Sequence, residues 1–135
     1  MLAYVTLGTN DLARAHEFYD ALLGQLGAKR LMELPEHAGF TMYGTEMGRP
    51  SIVITNPIDG GSASVGNGTM VALPMRSRAA VDEFHAKAIS LGASDEGAPG
   101  LRSPEGPNAF YGAYFRDLDG NKLAAIRIGA APAAA

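Results

Sequence analysis

The chain has 135 residues, a formal net charge of −3 and no cysteine. That length suits one domain burying about two thirds of the surface its unfolded form exposes. The missing thiols exclude disulfides, thiolate metal sites and cysteine nucleophiles, and suit a reducing cytoplasm, where we expect the protein to reside.

Arg14, Arg30, Arg49, Arg76, Arg78, Arg102, Arg116 and Arg127 are scattered, so no basic field draws a nucleic-acid backbone. Residues 1–6 lack the basic and then apolar order of a signal peptide. No apolar run approaches the roughly 18 residues a membrane span needs, so neither nucleic acid nor membrane is expected as a partner.

In chain order, residues 2–8 read as a β-type run that stops at Thr9-Asn10-Asp11, where a side-chain oxygen can cap a helix. From Leu12, the apolar residues Ala15, Phe18, Tyr19, Leu22, Leu23 and Leu26 recur at three- and four-residue steps until Gly27 ends the helix. Residues 28–34, 40–43 and 51–55 are expected strands. Gly44, Gly48 and Pro50 form the turn before the last of them.

Residues 57–67, with Pro57, Asp59-Gly60-Gly61-Ser62 and Gly66, have the composition of a linker. Residues 69–73 follow as a strand. Ser77 then caps a second helix whose stripe is Val81, Phe84, Ala88 and Leu91, ended by Gly92. A Gly/Pro-rich strand-loop-strand passage leads from Glu96 through Arg102 into residues 110–115. Asp119-Gly120-Asn121 tolerates positive φ and closes a final antiparallel hairpin over residues 114–126. Residues 129–135 offer nothing large and apolar to bury and are expected to fray.

The two halves repeat each other. At an offset of 66, Asp11 falls on Ser77, Glu17-Phe18 on Glu83-Phe84 and Tyr4 on Met70; at 71, Tyr43 falls on Tyr114 and Val53 on Ala124. Each half reads as strand, helix and three strands, and a unit that small needs a second to bury its sheet. The expected architecture is α+β. Two βαβββ modules (1–56 and 68–128) pair into a curved, mostly antiparallel sheet around a central cavity, with the helices outside. Tyr4, Met70, Val53 and Ala124 are the symmetric candidates for the cavity centre.

The element order, Val5-Thr6-Leu7-Gly8 leading to Asp11 and Phe18-Tyr19, Gly66-Asn67-Gly68-Thr69, and Arg116-Asp117-Leu118-Asp119-Gly120-Asn121-Lys122-Leu123 together resemble the glyoxalase/bleomycin resistance/dioxygenase family, the vicinal oxygen chelate superfamily. The resemblance covers nearly the whole chain apart from the tail. It implies fold more than activity, because the family includes several enzymes and metal-free binders. In its metal-using members the ligands are a His on the first strand, a carboxylate or similar group on the first return strand, a His on the second-half strand and a Glu after the Asp-Gly-Asn turn. Those places hold Tyr4, Val53, Met70 and Ala124 here. A phenol of reference pKa about 10, a thioether and two alkyl groups do not make a divalent-metal site, so neither a metal nor another cofactor is expected.

His16 and His85 belong to helices that cover the outside, and His37 either reaches the cavity rim or faces water. Tyr4 and Tyr111 are the aromatic residues assigned to the ligand; Tyr43 and Tyr114 are assigned to packing. Arg102, in the Gly/Pro-rich loop, either grips an anionic group of the ligand or is a solvated arginine paired with Glu105. The function this supports is binding of a small apolar or aromatic molecule through Tyr4, Val53, Met70, Arg102, Tyr111 and Ala124. The alternative is a glyoxalase-like lyase, isomerase or dioxygenase using a displaced metal or acid–base chemistry by Tyr4, His37 or Arg102. Homodimers are frequent in the family the chain resembles, and a homodimer is expected.

Overall fold

The computed structural model describes residues 1–133. The chain runs β1 (Tyr4–Gly8), α1 (Leu12–Gly24), β2 (Lys29–Leu34), β3 (Phe40–Gly44), β4 (Ser51–Thr55), β5 (Val71–Pro74), α2 (Arg78–Ser90), β6 (Ser94–Leu101), β7 (Phe110–Arg116) and β8 (Lys122–Ile128). This is the βαβββ order twice, in an α+β fold with two four-stranded mixed sheets. Residues group into a first unit, Met1–Gly66 with Leu118–Asn121, and a second, Asn67–Asp117 with the chain from Lys122 onward. No helix of the described residues is long and apolar enough to cross a membrane.

In the first unit the strand order is β1-β4-β3-β2. The helix carries the chain from β1 to the far edge, and two hairpins then walk back until β4 lies parallel to β1. Asp11 caps α1 by accepting from the Arg14 amide at 3.0 Å, and Gly27, at φ +75°, closes its far end. Ala15, Phe18, Tyr19, Leu22 and Leu23 form the buried stripe. Leu22, fully buried, stabilises the unit by about 1.5–3 kcal/mol through burial alone.

Strand register assigns the sheet faces. Thr41 and Tyr43 pair with Ile54 and Ile52, and both bond to α1: the Thr41 hydroxyl meets His16 Nε2 at 2.8 Å, and the Tyr43 hydroxyl donates to Asp20 at 2.7 Å. Thr6, Val53, Met42 and Met32, aligned in one row, therefore point away from the helix.

The polar bonds beneath α1 set its charge states. Thr41 donates its own hydroxyl hydrogen to Gly39 O at 2.8 Å, which leaves His16 Nε2 as the donor to Thr41. The Arg30 fork on Asp20, at 2.8 and 2.7 Å, holds that carboxyl below the ordinary range. Burial pushes the Tyr43 phenol up. It also lowers His16, with Arg30 acting in the same direction.

The second unit repeats the plan as β5-β8-β7-β6. Ser77 caps α2, its hydroxyl oxygen accepting from the Ala80 amide at 3.0 Å. Val81, Phe84, His85 and Ala88 are buried on that helix, with Phe84 against Phe115 at 6.0 Å between ring centres. The strand expected at 69–73 begins two residues later, at Val71. The Asp-Gly-Asn turn joins β7 to β8 as expected, with Gly120 at φ +91°.

One expected equivalence fails. Tyr43 pairs with Ile52 and faces α1, whereas Tyr114 pairs with Ala124, one residue out of phase with Phe115, which faces α2. The β3–β4 connection is one residue longer than the β7–β8 connection, so Tyr43 is the counterpart of Phe115 and Met42 that of Tyr114. The pairs Val53/Ala124 and Thr6/Ala72 keep their phase, since Thr6 aligns with Val53 and Ala72 with Ala124. Beyond β8, the Gly129 amide donates to Ala109 O at 2.9 Å and the Ala131 amide to Glu105 at 3.3 Å. Ala134 and Ala135 of the expected tail lie outside the described residues.

Because His16 binds its proton less tightly folded than unfolded, its contribution to stability is complete above the unfolded value of about 6.5 and is lost as pH falls through the lower folded value. We expect Tm to fall between pH 7 and pH 5, and His16→Gln, which keeps a donor for Thr41, to flatten that slope. Identical slopes in thermal melts of the two proteins would refute the assignment.

Candidate functional site

On the first unit, the sheet face away from α1 is the floor of a cleft of about 620 Å³ lined by Thr6, Gly8, Phe40, Thr55 and residues 56–59 and 62–64, with His37 beside Phe40. The volume is that of a small-molecule pocket. Tyr4 stands next to it on β1, 45% exposed, its ring edge-on to Phe40 at 5.6 Å and 89°. The Thr6, Ser62 and Ser64 hydroxyls line the cleft and make no hydrogen bond among the described residues. An apolar or aromatic body can lie against Phe40 while the hydroxyls meet its polar edge.

The wall of this cleft lies largely in the segment whose composition reads as linker. Asn56 donates to Thr9 O at 3.0 Å, and the Asp59 side chain accepts from the Gly61 amide at 2.9 Å, a local turn of the kind Asp favours. The decisive tie is Asn10, whose carboxamide oxygen accepts from the Ala63 amide at 2.7 Å while its NH₂ reaches Ala63 O at 3.5 Å.

Asn10 is itself fixed by the turn at 118–121. Its amide donates to Asp119 at 3.0 Å, Arg14 reaches the same carboxylate at 3.4 Å, and Asn121 donates to Gly8 O at 2.9 Å. Gly8 suits the close approach of this segment, since a Cβ there would sit 3.1 Å from that of Ala63. The signals in the sequence for this wall were Asn10, Gly8 and the Asp-Gly-Asn turn, whose partners lie 53 and 109 residues away.

Of the residues assigned to the ligand from the sequence, Tyr4 and Val53 share the cleft face of the first sheet. Val53 is fully buried, so only Tyr4 has exposed surface. His37 is exposed and lines the cleft, with Glu36 3.9 Å away.

In the second unit, Met70 immediately precedes β5 and is 42% exposed, and Ala124 is fully buried on the face away from α2. Arg102 reaches that same face, its guanidinium 5.3 Å from the centre of the Tyr114 ring. Tyr111 lies on the opposite face, donating to Asp82 of α2 at 2.7 Å. The pairing of Arg102 with Glu105 considered above is not made. Glu105 instead takes both arms of the Arg78 fork, at 2.9 and 2.6 Å, which lowers its carboxyl to about 2. Arg102 donates to Ala98 O at 2.7 Å.

The positions that carry metal ligands in the family the sequence resembles do not fit a divalent metal. Val53 and Ala124 have no donor and no exposed surface, and Tyr4 and Met70 offer a phenol and a thioether. Among the described residues no three His, Asp or Glu side chains group closely enough to hold an ion.

Comparison with known proteins gives structural neighbours over nearly the full chain. A glyoxalase/bleomycin resistance protein from Albidiferax ferrireducens shares 36% identity and a TM-score of 0.79, over 94% of this chain and 98% of that one. Two further structures share the fold at lower identity. A lactoylglutathione lyase from Agrobacterium tumefaciens matches at 20% identity and TM-score 0.61, over 94% and 92% of the two chains. An antibiotic binding protein from a Streptomyces species matches at 20% and 0.65, over 96% of each. No family model matches the sequence, and no curated protein matches it.

Asn10→Ala removes the tie to Ala63. It should raise the hydrogen-exchange rate of the Ala63 amide and lower stability by about 1 kcal/mol. Unchanged exchange at Ala63 would show that the wall is held by other contacts.

Proposed function

The chain belongs to the glyoxalase/bleomycin resistance/dioxygenase superfamily, and from that membership we propose that it binds a small, largely apolar or aromatic molecule without a metal ion. The observation that carries the reading is the first-unit cleft, which sets an aromatic wall at Phe40 beside hydroxyls with no partner among the described residues. The replacement of the family's ligand positions by Tyr4, Val53, Met70 and Ala124 supports it. So does the use of this fold by an antibiotic binding protein.

Binding in such a cleft draws its free energy from burying the ligand's apolar surface, with hydroxyl bonds fixing orientation. His37 at the rim supports a second reading, acid–base chemistry on the bound molecule. Turnover that survives exhaustive chelation and is lost in His37→Gln would select it. We also propose that the protein is a homodimer, which sedimentation tests directly: a species of 14.1 kDa at micromolar concentration would overturn it.

The binding reading is tested by native mass spectrometry with elemental analysis, followed by thermal shift against a panel of aromatic compounds. Ligands that raise Tm should do so equally with and without chelator. Thr6→Trp, which fills the cleft from an exposed position, should abolish the shift, and Phe40→Ala should weaken binding about tenfold. A stoichiometric transition metal in the purified protein, or no stabilising compound in the panel, would defeat the proposal.

A further inference from the structure

The second unit holds a polar cluster that the first-unit cleft does not use. Tyr114 stands on the face of its sheet away from α2, between Gly97 of β6 and Ala124 of β8. Arg102 lies over its ring at 5.3 Å and Lys122 at 5.5 Å. Two cations thus flank one aromatic ring, an arrangement favoured by the ring's electron-rich faces.

The carboxylates nearby are already committed. Glu96 is paired with Arg116 at 2.5 Å and Glu105 with Arg78 at 2.6 Å. Arg102 and Lys122 make no ion pair among the described residues, and the Tyr114 hydroxyl makes no hydrogen bond there. The pair of cations therefore lacks a counter-anion, and a phenol beside them has a proton to donate.

The arginine, although exposed, is held by one backbone bond. Its Nη2 donates to Ala98 O at 2.7 Å, and its guanidinium lies where two glycines leave room. A Cβ on Gly97 would come within 3.1 Å of Nη2 and 2.9 Å of the Tyr114 ring, and one on Gly100 within 3.2 Å of Nη1. Small residues continue across the same face as Ala72, Ala124 and Gly112. A fork fixed in place gives up little conformational freedom on meeting a planar oxyanion.

The geometry points to a subsite for the carboxylate of a small organic acid, in which Arg102 supplies the fork, Lys122 a second positive charge and Tyr114 a hydrogen bond. The carboxylate is held by charge-assisted bonds. This subsite does not rest on the reading given for the first-unit cleft.

The test uses benzoate as probe and benzamide as its neutral counterpart, with backbone amide shifts followed by NMR on the full chain. Benzoate should shift the amides of Gly97, Tyr114 and Ala124, more weakly at high salt, and benzamide should bind at least tenfold less well. Arg102→Gln should cost at least tenfold in benzoate affinity and Lys122→Gln severalfold. Gly97→Ala keeps every charge but displaces the guanidinium, and it should weaken binding as well; thermal melts confirm that each variant is folded. Equal binding of benzoate and benzamide, or wild-type affinity in the Arg102→Gln/Lys122→Gln double variant, would overturn the inference. Benzoate shifts confined to Thr6, Thr55 and residues 56–64 would also overturn it, while leaving the first-unit cleft as a binding site.

Discussion

A helix of 13 residues is about 20 Å long and 10 Å wide, enough to cover one face of a four-stranded sheet and no more. Each unit has one such helix, so each commits one sheet face to the core and leaves the other to be shaped by something else. The commitment is visible in the alternation. Leu7, Ile52, Ile54 and Tyr43 are buried on the α1 side, as are Phe115, Leu123 and Ala125 on the α2 side. The parallel β1–β4 and β5–β8 pairings keep these faces in register, because a slip of one residue would turn every apolar side chain to the wrong side.

That constraint explains why the ligand positions of metal-using relatives can be replaced without loss of fold. Tyr4, Val53 and Ala124 all lie on faces away from the helices, where a side chain answers to chemistry more than to the core beneath the helix. With alkyl groups at Val53 and Ala124, the positions gain packing and lose both charge and lone pairs. A buried carboxylate there would need a cation or hydrogen-bond donors to offset its desolvation; an alanine needs neither.

The fold was largely legible because its signals are local. The 3.6-residue stripes of both helices, the caps at Asp11 and Ser77 and the turn at Asp119-Gly120-Asn121 are each decided by neighbours in sequence, and each lies where the pattern put it. The site was less legible because its determinants are distant. Residues 57–64 have a linker's composition, yet they form a wall through Asn10, a partner more than 50 residues earlier, and no local pattern encodes that bond. The Tyr43–Tyr114 equivalence failed for a related reason: the halves match through identical residue types, but the two hairpins differ by one residue in length, and a period of two turns that difference into opposite faces. Arg102 was singled out by its loop, but its ring partner was assigned to packing because a tyrosine inside an apolar strand gives no sign of which face it takes.

Corresponding rows of the two sheets show how far the halves have diverged. In the first unit the row is Thr6, Val53, Met42 and Met32; in the second it is Ala72, Ala124, Tyr114 and Gly97. The first row is neutral, and its thioethers and methyl groups fill their own space. The second shrinks to alanine and glycine on either side of a single tyrosine, and into that space comes a guanidinium that a methyl group on Gly97 would displace. The same backbone plan therefore yields one face suited to apolar contact and another suited to charge. The difference follows from side-chain volume as much as from polarity, because Arg102 can come over the Tyr114 ring only where the neighbouring strand has given up its own side chain.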